Sequence, residues 1–360
     1  MQAPHSPLRA ALARPLALLG ALLTLAACGQ EPDLVVRISL DQVFSEALID
    51  EFEADTGLTV NAYFDIEQTK TVGHVRAIQE EARSNPRTDV FWNNEIAQTV
   101  RLAEEGLLEP YDSPSAEGIP EMFRDPERRW TGFAARARCL IVNTDVVPEG
   151  EGPLGTLDLL SPDWSGQCGI ARPLTGTTLT HATALYQVMG EDWARNFFGQ
   201  VVALNGEGKV NVAESNGQTM RQVGEGEYAW AWTDTDDFNV AKRNKEKPVR
   251  RVFPDQEPGD GVLMKDGEPI GTLLIPNTVM LLKDAPHPDN AKRFIDWVLS
   301  KEIEKRLAYA DSAQIPIRED VQRPGYVGLL GDFKAMEVDY VELGKTIAAR
   351  TDELGDLFLR

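Results

Sequence analysis

Histidine and cysteine are scarce in this chain, with four and three respectively among 360 residues. His74, His181 and His287 stand at no ligand spacing from one another or from a cysteine, which argues against a zinc centre. Neither a Gly-x-Ser-x-Gly elbow nor a His-Glu-x-x-His helix occurs, so the usual signatures of an exported hydrolase are missing. An apolar run of about 20 residues, the length a membrane-crossing helix needs, is also lacking. Basic residues are few: 36 Lys and Arg stand against 57 Asp and Glu, for a formal charge of −21. With no basic stripe to neutralise phosphodiesters, nucleic acid is excluded as a partner.

What is present begins at the amino terminus. Arg9 and Arg14 precede the apolar stretch from Leu16 to Leu25, which ends in Leu25-Ala-Ala-Cys28 followed by Gly29. A charged start, a short apolar middle and small residues before a cut make an export signal rather than a span. Leu-Ala-Ala-Cys resembles the bacterial lipobox. That resemblance implies removal of residues 1–27, a diacylated Cys28 opening the mature chain, and a polar leader over 28–33. Loss of Arg9 and Arg14 takes the charge to −23.

The remaining body, of about 330 residues, exceeds what one hydrophobic core usually supports, so two lobes are expected. Leu34–Ser39 reads as a buried strand, followed by a helix from Gln42 to about Thr56 that Gly57 stops, with Phe44, Leu48, Ile49 and Phe52 on one face. A strand over Leu58–Phe64, a helix over Val72–Ala82, a strand over Asp89–Trp92 and a helix over Ile96–Glu105 continue the alternation. Such units of roughly 30 residues predict a parallel, doubly wound sheet. The pattern restarts with strands at Cys139–Asn143 and Gly169–Arg172, helices over Thr177–Met189 and Asp192–Gln200, and a strand at Tyr228–Trp232. Strands within Gly271–Leu282 and one long helix over Pro288–Tyr309 close the series. No internal repeat is visible. Two α/β halves with the chain crossing between them place a cleft at the carboxyl ends of their strands. Cys139 and Cys168 either bridge, as export permits, or remain two buried thiols.

Several stretches in order carry a family resemblance: the lipobox leader, Phe52-Glu-Ala-Asp-Thr-Gly57, Asp89-Val-Phe-Trp92, Gly106-Leu-Leu-Glu-Pro110, Pro162-Asp-Trp-Ser-Gly166, the helix Ala291–Ser300 and Ala313-Gln-Ile-Pro-Ile317. Together they resemble the solute-binding proteins of bacterial ABC importers, and order and spacing are most similar to the ferric-iron-binding branch over residues 34–320. The resemblance implies an α/β periplasmic-binding-protein fold, a type II-like clamshell of two doubly wound lobes with the ligand at the hinge. It places residues 34–137 and 266–318 in the first lobe and 138–265 and 319–360 in the second. It further implies a monomeric, non-catalytic receptor in the periplasm or at the cell surface, held to the membrane by its lipid and serving an ABC permease and ATPase.

The family's ligand positions carry over with substitutions. The tyrosine pair of the iron binders falls on Asp236-Asp237, a first-lobe histidine falls near Gln42, and a glutamate falls on Asn94, with Glu95 next to it. The anion-binding loop is matched by Leu174-Thr-Gly-Thr-Thr178 and a helix-opening asparagine by Asn216. Thr175, Gly176, Thr177 and Thr178 would offer hydroxyls and backbone N–H groups to an anion at a helix N-terminus, or would merely cap that helix. Glu95, Asp234, Asp236 and Asp237 would offer carboxylates to a cation, with Glu95, Asp236 and Asp237 as metal ligands, or would be a solvated turn. Lys70, Arg136 and Arg138 are further cleft residues, with a surface ion pair as the plainer role for either arginine. Trp92, Trp230 and Trp232 read as core. Two solutes fit this mixed site: ferric iron with a synergistic anion, or a phosphonate, aminophosphonate or other zwitterion. A metal-assisted phosphoesterase is the rival of another class, and no catalytic motif supports it.

Overall fold

The computed structural model describes residues 31–359 except 41 and 65–69, and describes only the backbone of Val43, Phe44 and Lys70. The leader and Cys28 lie outside the described residues. Among those described, no helix is long and apolar enough to cross a membrane.

The first half is built on β1 (Leu34–Ile38), flanked by parallel partners β2 (Val60–Phe64) and β3 (Val90–Asn93). Helices α1 (Gln42–Thr56) and α2 (Lys70–Ser84) make the crossovers, as parallel pairing requires. Phe52 anchors α1, fully buried and edge-on to Phe294 with ring centroids 5.0 Å apart. Helix α3 (Ala97–Glu104) follows and ends at Gly106, whose φ of +73° suits a residue without a side chain. A short β4 (Leu108–Glu109) leads on to β5 (Thr131–Asn143), a strand of 13 residues buried throughout.

Strand β5 joins the two halves. The second half contributes β6 (Cys168–Ala171), α4 (Gly176–Met189), α5 (Glu191–Gly206), β7 (Asn211–Ala213), α6 (Asn216–Gly224), β8 (Trp230–Asp234), α7 (Thr235–Asn239) and β9 (Val249–Val252). A hairpin of β10 (Met264–Lys265) and β11 (Glu268–Pro269) precedes β12 (Leu274–Leu282), and α8 (Pro288–Val298), α9 (Lys301–Tyr309) and α10 (Tyr340–Phe358) end the chain. Up to Ala137, β5 pairs with β12; from Arg138 onward it pairs with β8 and from Leu140 with β9. β6, β7 and β8 are mutually parallel, whereas β12 runs antiparallel to both β3 and β5. The sheets are therefore mixed rather than wholly parallel, because the strands that carry the chain between halves run against the rest.

Two further expectations change, and of the two alternatives for the cysteines the structure shows one. The single helix over Pro288–Tyr309 is two, because Ser300 adopts extended backbone and its Oγ accepts from the Ile303 N–H, capping a new helix. The strand placed at Tyr228–Trp232 lies two residues later, so Asp234 is its last residue. Cys139 and Cys168 are free and buried. They lie on strands either side of β8, opposite Thr233 and Trp230 respectively. Two strand spacings already separate them by about 9.5 Å, beyond disulfide reach.

Trp92, Trp230 and Trp232 are core residues, each at most 2% exposed. Helix α10 packs on α3 of the first half and on α4 and α5 of the second. It can do so because Gly344 leaves room for Val100, which any β-carbon there would strike.

Candidate functional site

In the second half the three parallel strands run out at one edge, and each turns into a helix there. β6 leads through Arg172 into α4, β7 through Glu214 and Ser215 into α6, and β8 through Asp234 into α7. From the first half, Leu40 beyond β1, Asn94 beyond β3 and Thr71 in the first turn of α2 face them. The space between is a cleft of about 670 Å³, at the strand ends where open α/β sheets bind ligands.

Two helix N-termini open into this cleft, presenting backbone donors that no helical carbonyl can satisfy. At α4, Thr175 makes no side-chain cap, and Gly176 with φ +57° bends the chain into the helix. At α6, the Ser215 hydroxyl accepts from Gln218 N–H, which leaves the Asn216 and Gly217 N–H groups ahead of it. Thr178 Oγ1 donates to Asn216 Oδ1 at 3.0 Å and so links the two turns. The partial positive charge of both ends favours an anion.

Asp234, Asp236 and Asp237 converge at the end of β8, each offering an oxygen within 4.8 Å of the others. Asp234 is the most committed. Its Oδ1 accepts from Arg138 at 2.7 Å, and its Oδ2 accepts from Thr177 Oγ1 at 2.5 Å and Asn216 Nδ2 at 3.1 Å. Arg138 stands opposite Asp234 in the β5–β8 register, is 1% exposed and does not line the cleft. Asp236 accepts from Arg136 at 3.1 Å, and Asp237 accepts from Thr233 Oγ1 at 2.7 Å. Burial raises the Asp236 pKa above the ordinary carboxylate value; Arg136 pulls it down and Asp234 pushes it further up.

Of the residues singled out from sequence, Asn94, Thr175, Gly176, Thr177, Thr178, Asn216, Asp234, Asp236, Asp237 and Arg136 all line the cleft. Glu95 does not. Its carboxylate turns into the protein and accepts from the Ala97 and Gln98 N–H groups and from Thr180 Oγ1, each at 2.9 Å, so it caps α3 and ties it to α4. Burial raises its pKa. Gln42 is exposed and donates to Glu46 on its own helix. Lys70 is the first residue of α2, and its side chain is not among the described ones.

Sequence reasoning missed Arg172, Glu214, Ser215, Gln218 and Arg221, all of which line the cleft. Arg172 pairs with Glu214 at 2.8 Å and Arg221 lies exposed on α6. The available signal was position, since Arg172 ended a predicted strand and Glu214-Ser-Asn preceded a helix. Among the described lining residues there is no tyrosine or histidine.

A family model of bacterial extracellular solute-binding proteins matches residues 47–328. Iron uptake protein A1 of Synechocystis sp. is 25% identical over 348 residues, covering 91% of each chain. Among solved structures, iron-bound HitA from Pseudomonas aeruginosa aligns with a TM-score of 0.76 at 23% identity, covering 89% of this chain and 99% of that one. The periplasmic binding protein AfuA from Actinobacillus pleuropneumoniae, with exogenous fructose-6-phosphate bound, aligns with a TM-score of 0.75 at 22% identity over 91% of this chain and 98% of that one.

Proposed function

This chain belongs to the bacterial extracellular solute-binding protein family, whose members are not catalysts, and we propose that its solute is ferric iron taken together with a small anion and handed to an ABC-type permease. The observation that carries this reading is the convergence of Asp234, Asp236 and Asp237 beside the N-termini of α4 and α6. Hard oxygen donors suit Fe³⁺, and the helix N-termini suit the anion that completes its coordination. The iron names carried by Iron uptake protein A1 and HitA support the same choice. Cys28 would tether the receptor by its lipid, outside the cytoplasm and close to the permease.

This reading differs from tyrosine-based iron binding in one measurable respect. With carboxylates in place of phenolates, the iron complex lacks the strong visible charge-transfer band. Elemental analysis of protein purified without refolding, with iron titrations in the presence and absence of citrate or phosphate, tests it. One iron per chain, colourless and dependent on an anion, is the expected result; a tyrosinate-like colour or no iron binding overturns it.

A second reading has its own observation. Arg138 and Arg136 already pair with Asp234 and Asp236, so two of the three carboxylates are neutralised before any metal arrives. The solute would then be an organic phosphate or phosphonate seated on the same N–H groups, in keeping with the fructose-6-phosphate held by AfuA. Binding that survives a strong chelator selects this second reading.

A further inference from the structure

We infer that Arg136 is the resident counter-cation of this cleft and sets its selectivity: a cation reaching Asp236 must displace the guanidinium, and only a solute that brings an anion for it to bind repays the exchange. The inference rests on the iron-with-anion reading. Its starting point is that the three carboxylates are held in three different ways. Asp234 is locked, with a buried arginine, a threonine and an asparagine all donating to it. Asp237 is met by the neutral hydroxyl of Thr233. Asp236 accepts from Arg136, a cation that itself lines the cleft.

Arg136 is unevenly satisfied. One terminal nitrogen donates to Asp236 Oδ2 at 3.1 Å, and the other donates across the cleft to the Asn94 carbonyl at 2.5 Å. Its Nε lies 3.9 Å from Asp234 Oδ2 and has no hydrogen-bond partner, although the residue is only 8% exposed. A buried guanidinium with a donor unused is an unfinished arrangement. Arg138, two residues along the same strand, is more deeply buried and does not line the cleft, so it stays with Asp234.

Charge counting gives the consequence. Asp234, Asp236 and Asp237 with their partners Arg136 and Arg138 sum to −1. The other described charges of the lining, Glu214, Arg172 and Arg221, sum to +1, so the site is too weak to hold a bare divalent ion against its hydration. Expelling Arg136 from Asp236 would deepen the carboxylate cluster to −2 but strand a buried cation, which is costly unless another anion receives it. A trivalent ion arriving with an anion meets both demands: the metal takes the carboxylate, and the planar fork of the arginine takes the anion.

The test compares wild type with Arg136→Gln and Arg136→Lys by calorimetry, using Mn²⁺ alone, Ca²⁺ alone, and Fe³⁺ with and without citrate. Wild type should show no Mn²⁺ or Ca²⁺ binding and should bind Fe³⁺ at least tenfold more tightly with citrate than without. R136Q should gain Mn²⁺ and Ca²⁺ binding by at least tenfold and lose the dependence of Fe³⁺ on citrate, whereas R136K, which keeps the charge, should still refuse the divalent ions. Fe³⁺ binding by wild type that is indifferent to citrate overturns the inference without any variant, so a variant that fails to fold does not shelter it. Equal refusal of divalent ions by a folded R136Q also overturns it, while leaving the iron reading standing. If wild type binds no Fe³⁺ under either condition, the iron reading itself has failed, and this inference with it.

Discussion

The two walls of the cleft are unlike. Apart from Arg136 on the joining strand β5, the first-half wall offers Leu40, Thr71 and Asn94 among the described residues, all neutral and at most 8% exposed. Asn94 is pinned there, its N–H donating to Ser39 and its carbonyl accepting from Arg136. The second-half wall carries two helix N-termini, three aspartates, Arg172 and Arg221, with Thr175, Gly176, Glu214 and Arg221 exposed. One half therefore reads the solute's charge, and the other provides a recessed neutral surface to close against it. A solute of this kind should dock on the second half in the open state, with closure following as a population shift.

The sharpest way to break that asymmetry is to remove a polar group from each wall in turn. Replacing Asp237 by Asn should weaken iron binding by about 100-fold, on the order of 2.7 kcal/mol, because a direct carboxylate ligand is lost. Thr71→Val on the opposite wall should cost less than about threefold, a fraction of a kcal/mol. Comparable losses measured by calorimetry would mean that both walls bind. The pH dependence follows from the same group of acids. Metal binding needs Asp236 ionised, and burial raises its pKa, so affinity should fall as pH drops through a range above that of ordinary carboxylates.

Gly176 probes the anion side. Its φ of +57° strains any residue with a side chain, and the position is exposed with open space around it. Gly176→Leu should therefore cost about 1–2 kcal/mol in backbone strain yet fold, while its side chain stands over the N-terminus of α4 and lowers affinity for the anion-loaded solute by about tenfold, or 1.4 kcal/mol. Unchanged affinity in a stably folded variant would make Thr175–Thr178 a cap and nothing more.

On the same wall Arg221 is exposed and Arg172 half-buried, so water screens the charge of the first more than that of the second. Alanine at either position should slow association of an anionic solute by a few fold, with the deficit shrinking as salt rises and dissociation nearly unchanged. Stopped-flow rates at two ionic strengths measure this, and a salt-independent loss would mark a direct ligand instead.

Local pattern made much of this arrangement readable. Helix α1 occupies Gln42–Thr56 as its periodicity and Gly57 indicate, and Asp234, Asp236 and Asp237 share a cleft with Thr175–Thr178 and Asn216. What was hidden depends on partners distant in sequence. Arg136 and Arg138 lie on the same face of one strand by the alternation of β structure. The first sits where β5 pairs with β12 and the second where it pairs with β8, so one is open to the solute and the other is locked away. Nothing in the hexapeptide around them encodes that switch of partners. The break at Ser300 was legible in principle, since serine followed by Lys-Glu-Ile is a helix start, but the continuous apolar face from Phe294 to Leu307 masked it.

Glu95 belongs to neither wall, and the smallest expected effect on binding is also the cleanest test of where the site ends. Its carboxylate receives two backbone N–H groups of α3 and the Thr180 hydroxyl of α4, so every short contact it makes is structural. Glu95→Gln should leave solute affinity within about twofold, under 0.5 kcal/mol. Stability should respond instead, and its sign is fixed by the raised pKa. Burial lifts Glu95 above its ordinary value of 4.5, so between the unfolded and folded pKa values the native state binds more protons than the unfolded chain. Its contribution to stability is therefore fullest at pH below that ordinary value and is lost as pH rises through the folded pKa. The glutamine variant cannot lose it, and the difference between variant and wild type in urea melts should drift in the variant's favour as pH rises through that window. A tenfold loss of iron affinity in Glu95→Gln, without that drift, would put Glu95 back among the ligands and extend the charged site into the first half.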